Sequence, residues 1–153
     1  MGVTYHHRAS VDCDYGCFIL EAPESHTPDT TVFDGELLSY HGDGQLQILT
    51  EIEVLTVDLS IEVWSEQPPR PEAEWEESER VFLPWPTGTA RVSQLSFGYA
   101  EEWEIPIAGN IALWAFCRGR KEAAQRYRDG AETEELANQE QWLIRLWPEH
   151  RPQ

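Results

Sequence analysis

The sequence predicts a mainly β protein: an antiparallel β-sandwich of about seven or eight strands with a short helical insert near the C-terminus. Within residues 54–66 (VLTVDLSIEVWSE), Leu55, Val57, Leu59, Ile61 and Val63 occupy alternate positions. Gly, Pro and Asp separate short apolar runs along the chain, and only residues 119–139 have a helix-like composition. A two-residue period places successive side chains on opposite faces, which marks a half-buried strand and excludes a helix. Closely spaced turn residues between such runs point to a sandwich.

Residues 1–12 and 149–153 read as flexible tails of a single domain spanning 1–153. The first strand is expected over 15–21 (YGCFILE), followed by a polar, Pro-broken loop over 23–30. A short apolar piece over 37–40 leads to the turn 41–44 (HGDG), then to a strand over 45–50. In the long strand, Leu55, Val57, Leu59, Ile61 and Val63 share one face, and Thr56, Asp58, Ser60, Glu62 and Trp64 the other. One wet face favours an antiparallel sheet. Residues 67–73 (QPPRPEA) break the pattern, and 74–83 run from a Glu cluster into Val81, Phe82 and Leu83. After the turn 84–88 (PWPTG) a strand covers 89–97. Trp103, Ile105 and Ile107 then alternate up to the turn 108–110. The run 111–118 (IALWAFCR) is apolar on nearly every residue, as in a central strand. One or two helical turns, broken at Asp129 and Gly130, precede a closing strand over 141–147 (QWLIRLW) that Pro148 stops.

Charge narrows the function. The chain carries 28 Asp and Glu against 11 Lys and Arg, a formal net charge of -17. Between Arg8 and Arg70 there is no Lys or Arg, while that span holds 13 acids. Such a field repels phosphate backbones and anionic lipid and attracts basic proteins. Neither direct nucleic-acid nor membrane binding is therefore expected, and a basic protein, such as a nuclease or toxin, is the expected partner. Acidity that serves only solubility is the plainer alternative. The three cysteines cannot all pair within one chain, and C-x3-C is neither a redox nor a zinc spacing, so a reduced, cytoplasmic protein is expected. No signal-peptide pattern opens the chain, and no apolar run approaches membrane-spanning length.

Catalytic signatures fail one by one. There is no G-x-S-x-G, no P-loop and no G-x-G-x-x-G. His6 and His7 are adjacent, and neighbouring side chains on an extended chain diverge, so they do not form a metal site. Asp43-Gly44 lacks the oxygen ladder of a calcium loop. Asp58 and Glu62 lie about 13 Å apart along one strand, too far to work as a carboxylate pair without a second strand's help. Cys17 and Cys117 fall in apolar strands, where thiols are buried and inert. No enzyme and no cofactor is expected.

Candidate partner-binding residues combine acids with indoles. Glu72, Glu74, Glu76, Glu77 and Glu79 surround Trp75, Glu101, Glu102 and Glu104 surround Trp103, and the long strand adds Asp58, Glu62 and Trp64. Carboxylates attract Lys and Arg at range, and a Trp gives a desolvated anchor. The alternative is that each Trp is a core or edge residue flanked by solvated Glu. A second function class is a small-ligand or glycan-binding sandwich using Trp64, Trp75 or Trp85 as a stacking platform.

The order of pieces resembles the bacterial competence protein J family, inhibitors of a DNA-entry nuclease. The similar pieces are the early aromatic strand at Asp14, Tyr15, Gly16, Cys17 and Phe18, and Asp34-Gly35-Glu36-Leu37 before a strand pair. They continue in the unit 103–114 (WEIPIAGNIALW) and the closing Gln141-Trp142-Leu143-Ile144. The resemblance covers roughly 14–147 and departs from the family at the Glu-rich 72–79 segment and the longer 119–139 insert. It implies an inhibitor or immunity-type protein that blocks a nuclease by occupying its basic site. No motif matches closely enough to transfer an inhibitory residue.

Overall fold

The computed structural model describes residues 2–23, 33–40, 45–85, 87–94, 96 and 98–149. Within them the chain runs β1 (Val3–Cys13), β2 (Cys17–Glu21), β3 (Phe33–Asp34), β4 (Leu38–Tyr40), β5 (Gln45–Leu49) and β6 (Leu55–Trp64). It continues through β7 (Glu77–Trp85), β8 (Thr89–Gln94), β9 (Gly98–Glu104), β10 (Gly109–Arg118), α1 (Arg120–Arg128) and β11 (Gln141–Pro148). Two sheets result, one ordered β1-β6-β11-β10-β7 and the other β3-β4-β5-β2-β8-β9. The first is called sheet A below, the second sheet B. The mainly β sandwich-like class and the single short helix match the sequence expectation, but eleven strands replace the expected seven or eight.

Alternation builds the core. From sheet A, Val57, Leu59, Ile61 and Val63 of β6, Leu113 and Ala115 of β10, and Trp142, Ile144 and Leu146 of β11 point inward. From sheet B, Phe18 and Leu20 of β2, Leu46 and Ile48 of β5, and Val92 of β8 meet them. Phe18 and Trp142 touch edge to face across the gap, with ring centroids 6.3 Å apart. Burial of these apolar faces supplies the main driving force for the fold.

Several expectations need correcting. Residues 3–12, expected to be part of a flexible tail, belong to the eleven-residue strand Val3–Cys13, paired with β6 from Val3↔Trp64 to Cys13↔Leu55. Only Val11 and Cys13 on this strand are buried, so the backbone ladder holds β1 and its composition gives little sign of it. Sheet A is mixed, because β11 runs parallel to β6 while β1 runs antiparallel to it. Pro84 and Trp85 belong to β7, not to a turn. β9 ends at Glu104, leaving Ile105 and Ile107 buried in the connection to β10, which starts at Gly109. The turn expected at 41–44 and most of the 23–30 loop lie outside the described residues.

Candidate functional site

The outer face of sheet A brings together much of what the sequence singles out. Strand parity puts Asp58, Glu62 and Trp64 there, beside Arg145 and Trp147 of β11, Trp114 and Phe116 of β10, and Arg80 of β7. The Pro-rich connection between β6 and β7 straps across this face. Arg145 Nη1 donates to the Pro69 carbonyl at 2.7 Å, and Arg70 lies over the Trp114 ring at 5.5 Å. Trp75 packs on Phe116 at 6.3 Å, with Arg118 over its ring at 4.4 Å.

This face satisfies its own charges. Arg8 makes a two-pronged contact with Asp58, Nε to Oδ1 at 3.0 Å and Nη2 to Oδ2 at 2.7 Å. Glu62 Oε1 accepts from Trp64 Nε1 at 3.0 Å and from Arg145 Nε at 2.8 Å. Arg145 also lies over Trp64 at 4.9 Å, and Arg80 over Trp114 at 4.4 Å. Guanidinium groups stacked on indoles and forked onto carboxylates hold both partners in place.

The 72–79 cluster divides by parity. Glu77 and Glu79 alternate with Val81, Leu83 and Trp85, so they point inward with the core residues. Glu79 Oε2 accepts from the Glu36 N–H at 2.6 Å, and its Oε1 from the N–H groups of Leu37 at 3.0 Å and Leu38 at 2.9 Å. A Cβ on Gly35 would collide with that carboxylate, which explains the glycine. Glu77 lies 3.6 Å from Arg120, a buried cation that also reaches Glu51 at 3.2 Å and the carbonyls of Leu49 and Glu36. Glu76 Oε1 accepts from the Gly119 N–H at 3.1 Å. Glu72 and Glu74 stay exposed on the strap, without a side-chain partner among the described residues.

The second cluster lies on β9, at the edge of sheet B. Trp103 stacks on His7 of β1 with centroids 4.3 Å apart and planes 21° from parallel, so the two sheet edges meet here. Glu101 Oε1 lies 3.0 Å from His7 Nε2, and Glu102 lies 3.8 Å from Arg91. Glu104 is exposed. Trp85 is 1% exposed and donates its Nε1–H to the Thr89 carbonyl at 3.0 Å, so it is a core residue and not a stacking platform.

One surface escapes sequence reasoning. Where β1 ends, Asp14, Tyr15, Gly16 and Cys17 make a tight hairpin with φ of 53° at Tyr15 and 75° at Gly16. Positive φ at both central residues is the geometry that suits the twist of hairpin strands, and Gly16 adopts it without a Cβ penalty. Tyr15 is thereby thrust outward, 67% exposed. Beside it opens a cavity of about 720 Å³, lined by this hairpin, residues 53–56, Gln94 and Ser96, and Thr133, Glu134 and Ala137. The signal available in the sequence was Asp14-Tyr15-Gly16, which reads as a turn as readily as a strand start.

Cys17 and Cys117 are buried, as expected, and burial pushes their thiols and that of Cys13 up from the ordinary range. All three are free and buried. Among the described residues no group of three or more His, Cys, Asp or Glu could hold a metal ion, and no helix is long and apolar enough to cross a membrane.

These features define a two-sheet β protein whose arginines on one face are paired with its own acids and indoles, with Glu72 and Glu74 on the overlying strap lacking a side-chain partner among the described residues. Two solved structures share its fold nearly end to end. One is ComJ from Bacillus subtilis, described as an inhibitor of the DNA-degrading activity of NucA. It is 13% identical, with a TM-score of 0.59, over 97% of this chain and 99% of that one. The other, described as crocagin biosynthetic gene J, is 12% identical with a TM-score of 0.58, over 96% and 100% of the two chains. The distant resemblance noted from the sequence is thus present in the fold. No protein-family profile and no curated protein sequence matches the chain.

Proposed function

We propose that this protein is an acidic inhibitor that binds a basic nuclease and covers its nucleic-acid site. The observation that carries the reading is the nearly complete fold correspondence with ComJ, an inhibitor of a DNA-degrading nuclease. The net charge of -17 supports it, because a nuclease cleft built for phosphates offers the opposite sign.

The self-paired Asp58 and Glu62, and the inward Glu77 and Glu79, act mainly by holding the surface rigid. Glu72 and Glu74 on the strap, with Glu102 and Glu104 on β9, provide the long-range attraction. Trp64, Trp75 and Trp103, half-buried and stacked against Arg or His, brace the same surfaces. Inhibition is steric and electrostatic, and it uses no cofactor and no chemistry on the nuclease.

The test is direct binding. The protein is titrated calorimetrically with purified basic DNA-degrading nucleases from its own organism at about 50 mM and about 500 mM NaCl. The expected result is a one-to-one complex with at least one of them, weaker at the higher salt. Lack of binding to every such nuclease at the lower salt would overturn the reading.

A further inference from the structure

We infer that the cavity beside Tyr15 is the point where a partner protein inserts a basic side chain flanked by apolar residues. This deepens the nuclease-inhibitor reading and rests on it for the identity of the partner. The inference itself stands on the cavity's shape, lining and rigidity.

The cavity of about 720 Å³ lies within the roughly 300–1,000 Å³ span of pockets that take small ligands. That size admits more than one side chain. Its lining carries the carboxylates of Asp12, Asp14, Glu53 and Glu134, and among the described residues that line it there is no Lys, Arg or His. Glu53 and Glu134 are exposed, and their carboxylates have no partner among the described residues. Between these acids stand two exposed apolar groups, Tyr15 at 67% and Val54 at 57%, with buried Leu55 behind them.

Apolar groups beside carboxylates in one cavity are complementary to an arginine or lysine whose stem packs on hydrophobic surface while its head meets the acids. It is a poor match for an anion. On sheet A's outer face, by contrast, the acids already hold arginines of this chain.

The walls are preformed. The Gly16 N–H donates to the Glu53 carbonyl at 2.9 Å, and the Thr50 N–H to the Gly16 carbonyl at 2.8 Å, locking the hairpin to the segment before β6. Thr56 Oγ1 donates to Asp12 Oδ1 at 2.6 Å, and the Ser96 N–H to Asp14 Oδ2 at 3.0 Å. The Asn138 N–H donates to the Thr56 carbonyl at 2.9 Å, which fixes the third wall. A site already in its bound shape loses little conformational freedom on binding.

The experiment is an NMR titration of the full chain with the blocked tripeptide Leu-Arg-Leu, and in parallel with Leu-Glu-Leu. Expected are amide shifts centred on Tyr15, Val54 and Glu134 with the arginine peptide alone. The double variant Glu53→Gln/Glu134→Gln should weaken that binding about tenfold, the equivalent of about 1.4 kcal/mol. Glu66→Gln/Glu122→Gln, which removes the same charge from exposed sites elsewhere, should leave it unchanged. Shifts centred on the strap, equal response to the glutamate peptide, or no response at saturating arginine peptide would each overturn the inference. Concentration-dependent shifts at these amides without peptide would overturn it in favour of a second copy as occupant. Failure of the nuclease reading shows differently, as an arginine-selective cavity in a protein that binds no nuclease. A nuclease that binds wild type and Glu53→Gln/Glu134→Gln equally would overturn the cavity while leaving the inhibitor reading intact.

Discussion

Two glutamates show how differently an acid can serve this protein. Glu79 accepts three backbone N–H groups from residues 36–38, tying β7 of sheet A to the turn before β4 of sheet B. Removing it strands three donors, so Glu79→Ala should cost about 3 kcal/mol, while Glu74→Ala on the strap should stay within about 0.5 kcal/mol. Urea midpoints at unchanged slope would measure both. Glu140 is fully buried in front of β11, with Oε2 accepting from Trp142 Nε1 at 2.7 Å and Oε1 unpartnered. Burial pushes its carboxyl up to about 7 from 4.5, against the Trp142 hydrogen bond and the Arg120 charge, and with help from Glu51 and Glu77. The folded state therefore holds this proton more tightly than the unfolded chain does, and stability falls as pH rises from about 4.5 to about 7. Glu140→Gln keeps the neutral shape. Its stability should match wild type near pH 4 and exceed it by up to about 3 kcal/mol at pH 8, read from urea midpoints across pH. Sequence alone carried half of this. Residues 74–83 read as a Glu cluster running into Val81, Phe82 and Leu83, and the inward parity of Glu77 and Glu79 emerged only from the strand that contains them. Nothing local marked Glu140 or Arg120, because their burial depends on strands far away in the chain.

Among the elements, β6 was legible because its alternation runs through ten residues and both faces are coherent. β1 was not, since its alternation of exposed and half-buried side chains lacks apolar weight until Val11. The parallel contact between β6 and β11 joins residues more than eighty positions apart, and no local pattern encodes such a pairing. The strap was read correctly as a Pro-rich break, but not as a cover. It stays down through Trp75 against Phe116, Arg118 over that indole, and the Glu76 N–H donating to the Cys117 carbonyl at 3.1 Å. Trp75→Ala removes the indole from both contacts, and a half-buried Trp makes a cost of roughly 2 kcal/mol reasonable. Hydrogen exchange at the Glu76 and Gly119 amides should quicken, while the amides of β6 and β11 keep their protection. Equal quickening in both places would mean that the strap and sheet open together.

For the whole molecule, the distribution of charge matters more than its sum. Arg8 and Arg145 are paired with acids on the outer face of sheet A, and Arg70, Arg80 and Arg118 lie on indoles there. The span between Arg8 and Arg70, which has no Lys or Arg, contributes Asp12 and Glu53 to the cavity, where Glu134 joins them. Composition showed the sign of the protein's own charge, and only the fold separated self-paired acids from available ones. The central claim is that this fold, with its uncompensated acids, stops a nuclease from reaching DNA. The most direct measurement is cleavage of linear DNA by a purified basic nuclease from the same organism as the protein is titrated in. The account predicts that cleavage falls to background at one equivalent, and that inhibition fades as salt rises. Full cleavage at a large molar excess, with every such nuclease of the organism, would contradict it.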